Sequence, residues 1–131
     1  MSEYYIFGIH PVSEVLKRSS KRAQKLYVAY SKKGQEVEGL LSLAVKNSVM
    51  IVRVEDRKLD HITGEGNHQG VALLAEAPKV LGLDEALETD KPGKDTVWLG
   101  LDEITDPHNL GAMIRSAACL GATAVILPER R

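Results

Sequence analysis

The chain has 131 residues, 44% of them hydrophobic, which supplies apolar material for one ordinary domain or two small ones and excludes a wholly disordered polypeptide. Its formal charge of −1 hides an asymmetry: residues 1–58 carry 11 Lys and Arg against 6 Asp and Glu, and residues 59–131 carry 6 against 12. The basic part is therefore a candidate to meet an anion such as a phosphate backbone, although extending it to residue 77 raises the acidic count to 9 and leaves an excess of only +2.

His10-Pro11-Val12-Ser13 opens a helix, with Pro11 suited to its first turn and Val12, Val15 and Leu16 at the spacing of one buried face. The stretch Lys17–Lys25 ends it. KLYVAY (25–30) reads as a strand, residues 35–47 as a second amphipathic helix, and VMIVRV (49–54) as a second strand. Asp56 is placed to cap a short helix carrying Leu59 and Ile62. A glycine-rich loop, TGEGNHQG (63–70), leads into a third strand, VALLAEA (71–77). This alternation predicts an α/β layer fold. Residues 78–95 read as a linker, with Pro92-Gly93 in a charged run and a possible short helix over Leu83–Leu87.

A new unit begins at Thr96. VWLGL (97–101) has the apolar character of a parallel strand buried on both faces. After the loop DEITDPH, a helix over 109–120 places Leu110, Met113, Ile114, Ala117 and Ala118 on one face, and Gly121 stands where a glycine ends a helix. TAVIL (123–127) is the following strand. One βαβ unit of this size cannot bury both faces of its sheet alone, so 96–131 reads as the start of a larger, incomplete domain.

No apolar run approaches the ~20 residues of a membrane span. MSEYYIFGIH lacks the regions of a secretion signal. The single cysteine, Cys119, excludes an internal disulfide and reads as a small buried hydrophobe. These features predict a cytoplasmic protein without membrane contact. The four histidines show no metal-ligand spacing, so no metal is expected. GEGNHQG precedes a strand, not a helix, so it offers no helix start for a dinucleotide. Asn67, His68 and Gln69 in that loop are either plain connection or RNA contacts. The basic run containing Arg18, Lys21 and Arg22 is either solvated surface or a phosphate-binding patch. Asn109 reads on its own as a helix N-cap. Arg115 is either a surface residue or a fork for a phosphate, and spacing does not decide.

The stretch LDEITDPHNLGAMIRSAACLGATAVILPERR (101–131) resembles the first signature motif of the SpoU/TrmH class of RNA ribose 2′-O-methyltransferases, Asn-x-Gly-x-x-x-Arg, here Asn109, Gly111 and Arg115. YIFGIHPVSEVL (5–16) and NHQGVAL (67–73) resemble that class's substrate-binding domain, so the likeness runs through nearly the whole chain. It is greatest to bacterial enzymes that methylate a guanosine ribose of large-subunit rRNA.

The resemblance implies a small N-terminal α/β RNA-binding domain at 1–77, similar to ribosomal proteins of the kink-turn class. A linker at 78–95 and the first βαβ unit of a SPOUT-type, trefoil-knot catalytic domain at 96–131 would follow. It implies catalytic roles for Arg115 and Asn109; its RNA substrate adds weight to the phosphate-binding reading of Arg18, Lys21 and Arg22, while Asn67, His68 and Gln69 stay candidate RNA contacts by their residue types. Its cofactor is S-adenosyl-L-methionine, whose site is expected downstream of residue 131, so the chain alone is expected to be inactive. The partners it implies are ribosomal RNA and, for the full-length protein, a second copy in a homodimer. Two other readings stay open: a non-catalytic RNA-binding module, and a resistance-type rRNA methyltransferase of the same superfamily.

Overall fold

The computed structural model describes residues 3–89 and 91–129. Met1, Ser2, Asp90, Arg130 and Arg131, which the expected domain and linker spans include, lie outside the described residues. The chain divides into two compact units, Met1–Lys79 and Val80–Arg131.

The first unit is built on a four-stranded sheet. Its strands are β1 (Glu3–Phe7), β2 (Ala23–Ala29), β3 (Met50–Val54) and β4 (Val71–Glu76), in the order β1-β4-β2-β3. β4 is antiparallel to both its neighbours, whereas β2 and β3 are parallel. The β-branched and aromatic residues of these segments suit a pleated surface. Their alternation sends successive side chains to opposite faces. Leu26 and Val28 of β2 therefore join Val71, Leu73 and Ala75 of β4 in one cluster, with Val12 and Leu16 of α1 (Ile9–Arg18) and Val37, Leu40 and Ala44 of α2 (Gln35–Lys46). Ala29 and Ala72 face the other way, against Leu59 of α3 (Asp56–Thr63), with Phe7, Tyr27 and Val54 packed around them. Two helices thus cover one face of the sheet and a third covers the other. β4, buried from Val71 to Ala75, is the strand both layers share.

β1 is not among the strands expected from the sequence. Tyr4, Tyr5, Ile6 and Phe7 are all β-formers, but the run is short, only half-buried and ends directly at Gly8. Gly8 adopts φ +94°, open to glycine at little cost, and turns the chain from β1 into α1. Asp56 is not the cap of α3. Glu55 occupies that place, and the Asp56 carboxylate accepts the Ser31 hydroxyl at 2.8 Å and 3.1 Å instead.

The second unit holds α4 (Leu83–Thr89), β5 (Trp98–Gly100), α5 (Pro107–Cys119) and β6 (Ala124–Ile126), with β5 and β6 parallel in a two-stranded sheet. α5 starts two residues before the expected Asn109. Asp106 is its N-cap, the Asp106 carboxylate accepting the His108 N–H at 2.8 Å, and Pro107 takes the first helical position, where its missing N–H costs nothing. At the other end Gly121, at φ +83°, donates to Ala118 O while Ala122 donates to Ala117 O, the paired bonds of a Schellman stop.

The expected burial in this unit is only partly present. Of the predicted apolar face of α5, Ala117 is buried and Leu110 half-buried, while Met113 and Ile114 are 37% and 41% exposed. Trp98 and Leu99 are half-buried rather than enclosed on both faces. Two strands and one crossover helix offer too little surface to cover one another. Cys119 is exposed, contrary to its reading as a buried hydrophobe, because it lies on the uncovered side of α5.

Candidate active site and nucleic-acid interface

In parallel sheets ligands gather beyond the carboxyl ends of the strands. In the second unit that position is a cleft of about 450 Å³ lined by Leu101, Glu103, Ile104, Thr105, Leu110, Leu127 and Pro128. Apolar side chains form most of its wall. Glu103 holds a left-handed backbone at φ +52°, unusual for a residue with a Cβ and worth about 1–3 kcal/mol of strain, and the Asp102 carboxylate accepts its N–H at 3.0 Å. Nothing in the residue type at 103 announces this conformation.

Asn109 is the third residue of α5 and is exposed, so its reading as the helix cap is replaced by Asp106. Arg115 is also exposed. Its side chain leans back along α5, as helical side chains do. Its Nη1 comes to 3.3 Å from the point a Cβ on Gly111 would occupy. Folding back one turn carries the guanidinium from about 9 Å to about 3 Å of the axial level of Asn109, at 1.5 Å per residue. The cation is thereby brought toward the positive end of the helix dipole, where both favour an incoming anion. Asn109 and Arg115 remain about 120° apart around the helix axis. Neither lines the cleft.

The residues expected to bind RNA fall into two groups at opposite ends of the first unit's sheet. Arg18, Lys21 and Arg22 precede β2, beside the end of β4; Asn67, His68 and Gln69 precede β4, beside the end of β2. The seven residues of β2 separate the groups by about 20 Å. Arg22 is built into the fold. Its Nε donates to Glu76 O at 3.0 Å, its Nη2 donates to the Tyr4 hydroxyl, and its guanidinium lies 6.0 Å from the Tyr4 ring. Arg18 pairs with Glu14 at 2.9 Å, and both are well exposed. Lys21 is exposed.

At the opposite end, His68 and Gln69 also serve the fold. His68 Nδ1 accepts the Gly70 N–H at 2.9 Å, which places the ring proton on Nε2, 3.0 Å from Asp60 Oδ1. Gln69 Oε1 accepts the Ile9 N–H at 2.9 Å and so caps α1. Asn67 is left exposed on the loop these two hold in shape. Gly70, at φ +80°, supplies the unusual backbone angle expected of it, and a Cβ there would stand 2.8 Å from Lys32 Cγ.

This end of the sheet also gathers residues outside the set expected to contact RNA. α1, α2 and α3 all begin here, because each follows a strand that ends here. With them come exposed His10, Tyr30 and Lys33, half-buried Lys32, and Arg53, whose Nη1 donates to Ala29 O and Lys32 O. The available signal was the placement of Lys32-Lys33 between a strand and a helix. No group of three or more potential metal ligands occurs among the described residues, and no described helix is long and apolar enough to cross a membrane.

Comparison with known proteins gives this arrangement a class. Residues 5–81 match the family described as RNA 2′-O ribose methyltransferase substrate binding, and residues 96–131 match the SpoU rRNA methylase family. The chain belongs to the SpoU family of RNA methyltransferases. It is 40% identical over 128 residues to the 23S rRNA (guanosine-2′-O-)-methyltransferase RlmB of Pseudomonas putida, covering 95% of this chain and 50% of that protein. It is 38% identical over 129 residues to the RlmB of Coxiella burnetii, covering 96% and 50%. The chain thus spans about half the length of these curated relatives. In fold it is similar to the AdoMet-bound rRNA methyltransferase of Sinorhizobium meliloti, at TM-score 0.69 and 23% identity over 98% of this chain and 44% of that one. It is also similar to the SpoU methyltransferase AviRb of Streptomyces viridochromogenes, at TM-score 0.65 and 21% identity, covering 95% and 44%.

Proposed function

We propose that this chain belongs to an S-adenosyl-L-methionine-dependent enzyme that methylates the 2′-hydroxyl of a guanosine in large-subunit ribosomal RNA. The observation that supports the reading is the guanidinium of Arg115, folded over Gly111 toward the start of α5, the helix that follows the carboxyl end of β5. A planar fork in that place holds a phosphate through two parallel N–H···O bonds. Fixing the phosphate next to the target ribose fixes its 2′-oxygen, and the reaction gains from orientation. Asn109, near the same helix start, shapes the site beside it.

S-adenosyl-L-methionine, when bound, supplies the electrophilic methyl group. The apolar side chains of Leu101, Ile104, Leu110, Leu127 and Pro128 suit the flat adenosyl part and would form one wall of its site. The first unit would hold the RNA, and its loop end is the better-placed surface there. Asn67, Lys33 and His10 are exposed at that end, whereas Arg22 at the other end is occupied by the fold. The full-length protein is proposed to act as a homodimer.

The test is methyl transfer to unmodified 23S rRNA by the complete gene product, with the product nucleoside identified by mass spectrometry. Wild type should yield 2′-O-methylguanosine at one position. Arg115→Ala should lose at least about 100-fold in rate, the cost of an electrostatic contact to reacting groups, with its thermal midpoint unchanged. An Arg115→Ala protein as active as wild type would end the assignment.

A further inference from the structure

We infer that Gly111 is a positioning residue: the bare backbone at this place in α5 is the seat that lets the Arg115 guanidinium lie back along the helix. The inference rests on the proposed role of Arg115 and adds the element that aims it.

A glycine inside a helix costs about 1 kcal/mol relative to alanine. Five of the chain's eleven glycines have a conformational reason. Gly8, Gly34, Gly64, Gly70 and Gly121 all hold positive φ, which alanine adopts poorly. Gly111 is fifth in a continuous α-helix and has no such reason. Among the described residues no neighbouring element calls for the space either. Among the described residues, and apart from its chain neighbours and the adjacent backbone of α5, the one atom within 4 Å of a Cβ at 111 is Arg115 Nη1, at 3.3 Å. Gly39, in the middle of α2, is the internal contrast, because a Cβ there meets nothing within 4 Å.

The spacing explains the pairing. Residues four apart stand one above the other on a helix, and side chains lean toward its N-terminus. An arginine at 115 therefore lies over residue 111 when it folds back. A methyl group at 111 would leave a contact tighter than nine in ten such contacts, so the guanidinium would have to shift by a few tenths of an ångström. The fold loses nothing by this, since the atom displaced is the far end of a flexible side chain. Catalysis does lose, because a fork aimed at one phosphate depends on position, and displacements of about 1 Å cost on the order of 100-fold.

The result is an opposed pair of effects. In the complete gene product, Gly111→Ala should keep or raise the thermal midpoint, as Gly39→Ala should, while kcat falls about tenfold and the KM for RNA changes less than twofold. Gly39→Ala should leave both kinetic constants as in wild type. In an Arg115→Lys background, whose ammonium lacks the fork, Gly111→Ala should cost less than twofold further. Full activity of Gly111→Ala would overturn the inference. So would an activity loss accompanied by a lower thermal midpoint, or a loss of equal size in the Arg115→Lys background. A readout independent of turnover is the nuclear Overhauser contact between the Arg115 side chain and the Gly111 α-protons. Its presence in an inactive wild-type protein would leave the seat standing while the methyltransferase reading failed. Its absence would overturn the seat whatever the activity.

Discussion

Arg22 and Asn67 show how differently two polar residues behave once their surroundings are known. Both stand in stretches that the sequence offers as RNA contacts, one basic and one rich in amides. Arg22 makes its bonds to Glu76 O and Tyr4, residues far from it in sequence, and clamps the end of β4 to the start of β2. No local pattern announces a bond across 54 residues. His68 and Gln69 were illegible for the same reason, since their partners Asp60 and Ile9 come from two helices on different faces of the sheet. The expected consequence separates stability from binding. Arg22→Ala should lower unfolding free energy by about 1–3 kcal/mol, through one unsatisfied carbonyl and a lost hydroxyl partner. Asn67→Ala with Lys33→Ala should leave stability within about 0.5 kcal/mol, as exposed positions generally do. The same double variant should weaken binding to an rRNA fragment and reduce the slope of log K against log salt by about one unit, the contribution of one phosphate contact. Chemical denaturation and salt-dependent fluorescence anisotropy read the two quantities. A normal salt slope in the double variant would move the interface away from this end of the sheet.

At the scale of elements, periodicity carried most of the information. α1, α2 and α5 were legible because their apolar residues recur at three- and four-residue spacing. β4 was legible as an apolar run between turns. β1 was not, since four aromatic and aliphatic residues ahead of a glycine show neither alternation nor length. The start of α5 was misplaced because DPHN contains two good capping residues, Asp106 and Asn109, and the proline between them decides. Pro107 at the first helical position leaves Asp106 as the cap and frees Asn109. The site therefore depends on an aspartate that takes no part in it. In the complete gene product, Asp106→Ala should destabilise the start of α5 by about 1 kcal/mol, whereas Asp106→Asn or Asp106→Ser should restore most of that. Amide exchange at His108 and Asn109 would locate the effect. Unchanged exchange in Asp106→Ala would show that the helix start is held by something other than its cap.

At the scale of the whole molecule, the two units differ in how well each closes its own core. Met1–Lys79 has a sheet covered on both faces, two hydrophobic clusters, and Leu16, Leu26, Leu59 and Leu73 without exposed surface. Burying one such leucine contributes about 1.5–3 kcal/mol, and truncating it costs about 2–5 kcal/mol. Val80–Arg131 has two three-residue strands, a helix with one buried residue, and Met113, Ile114, Leu120 and Leu127 open to solvent. Chains of about this length fold alone only when most of their apolar surface is covered. The composition of 96–131 made this legible, because one βαβ unit has too few layers for its apolar residues. Residues 1–79 alone should therefore unfold in a single cooperative thermal transition, while 80–131 alone should show none. The full 131-residue chain should bind S-adenosyl-L-methionine more weakly than about 100 µM, since a cleft open to solvent desolvates little of its ligand. Circular dichroism of the two segments and calorimetric titration of the whole chain measure these outcomes. A cooperative transition in 80–131, or micromolar cofactor binding by the chain as it stands, would mean that β5, α5 and β6 already close a complete site. Arg115 would then need no further wall to act.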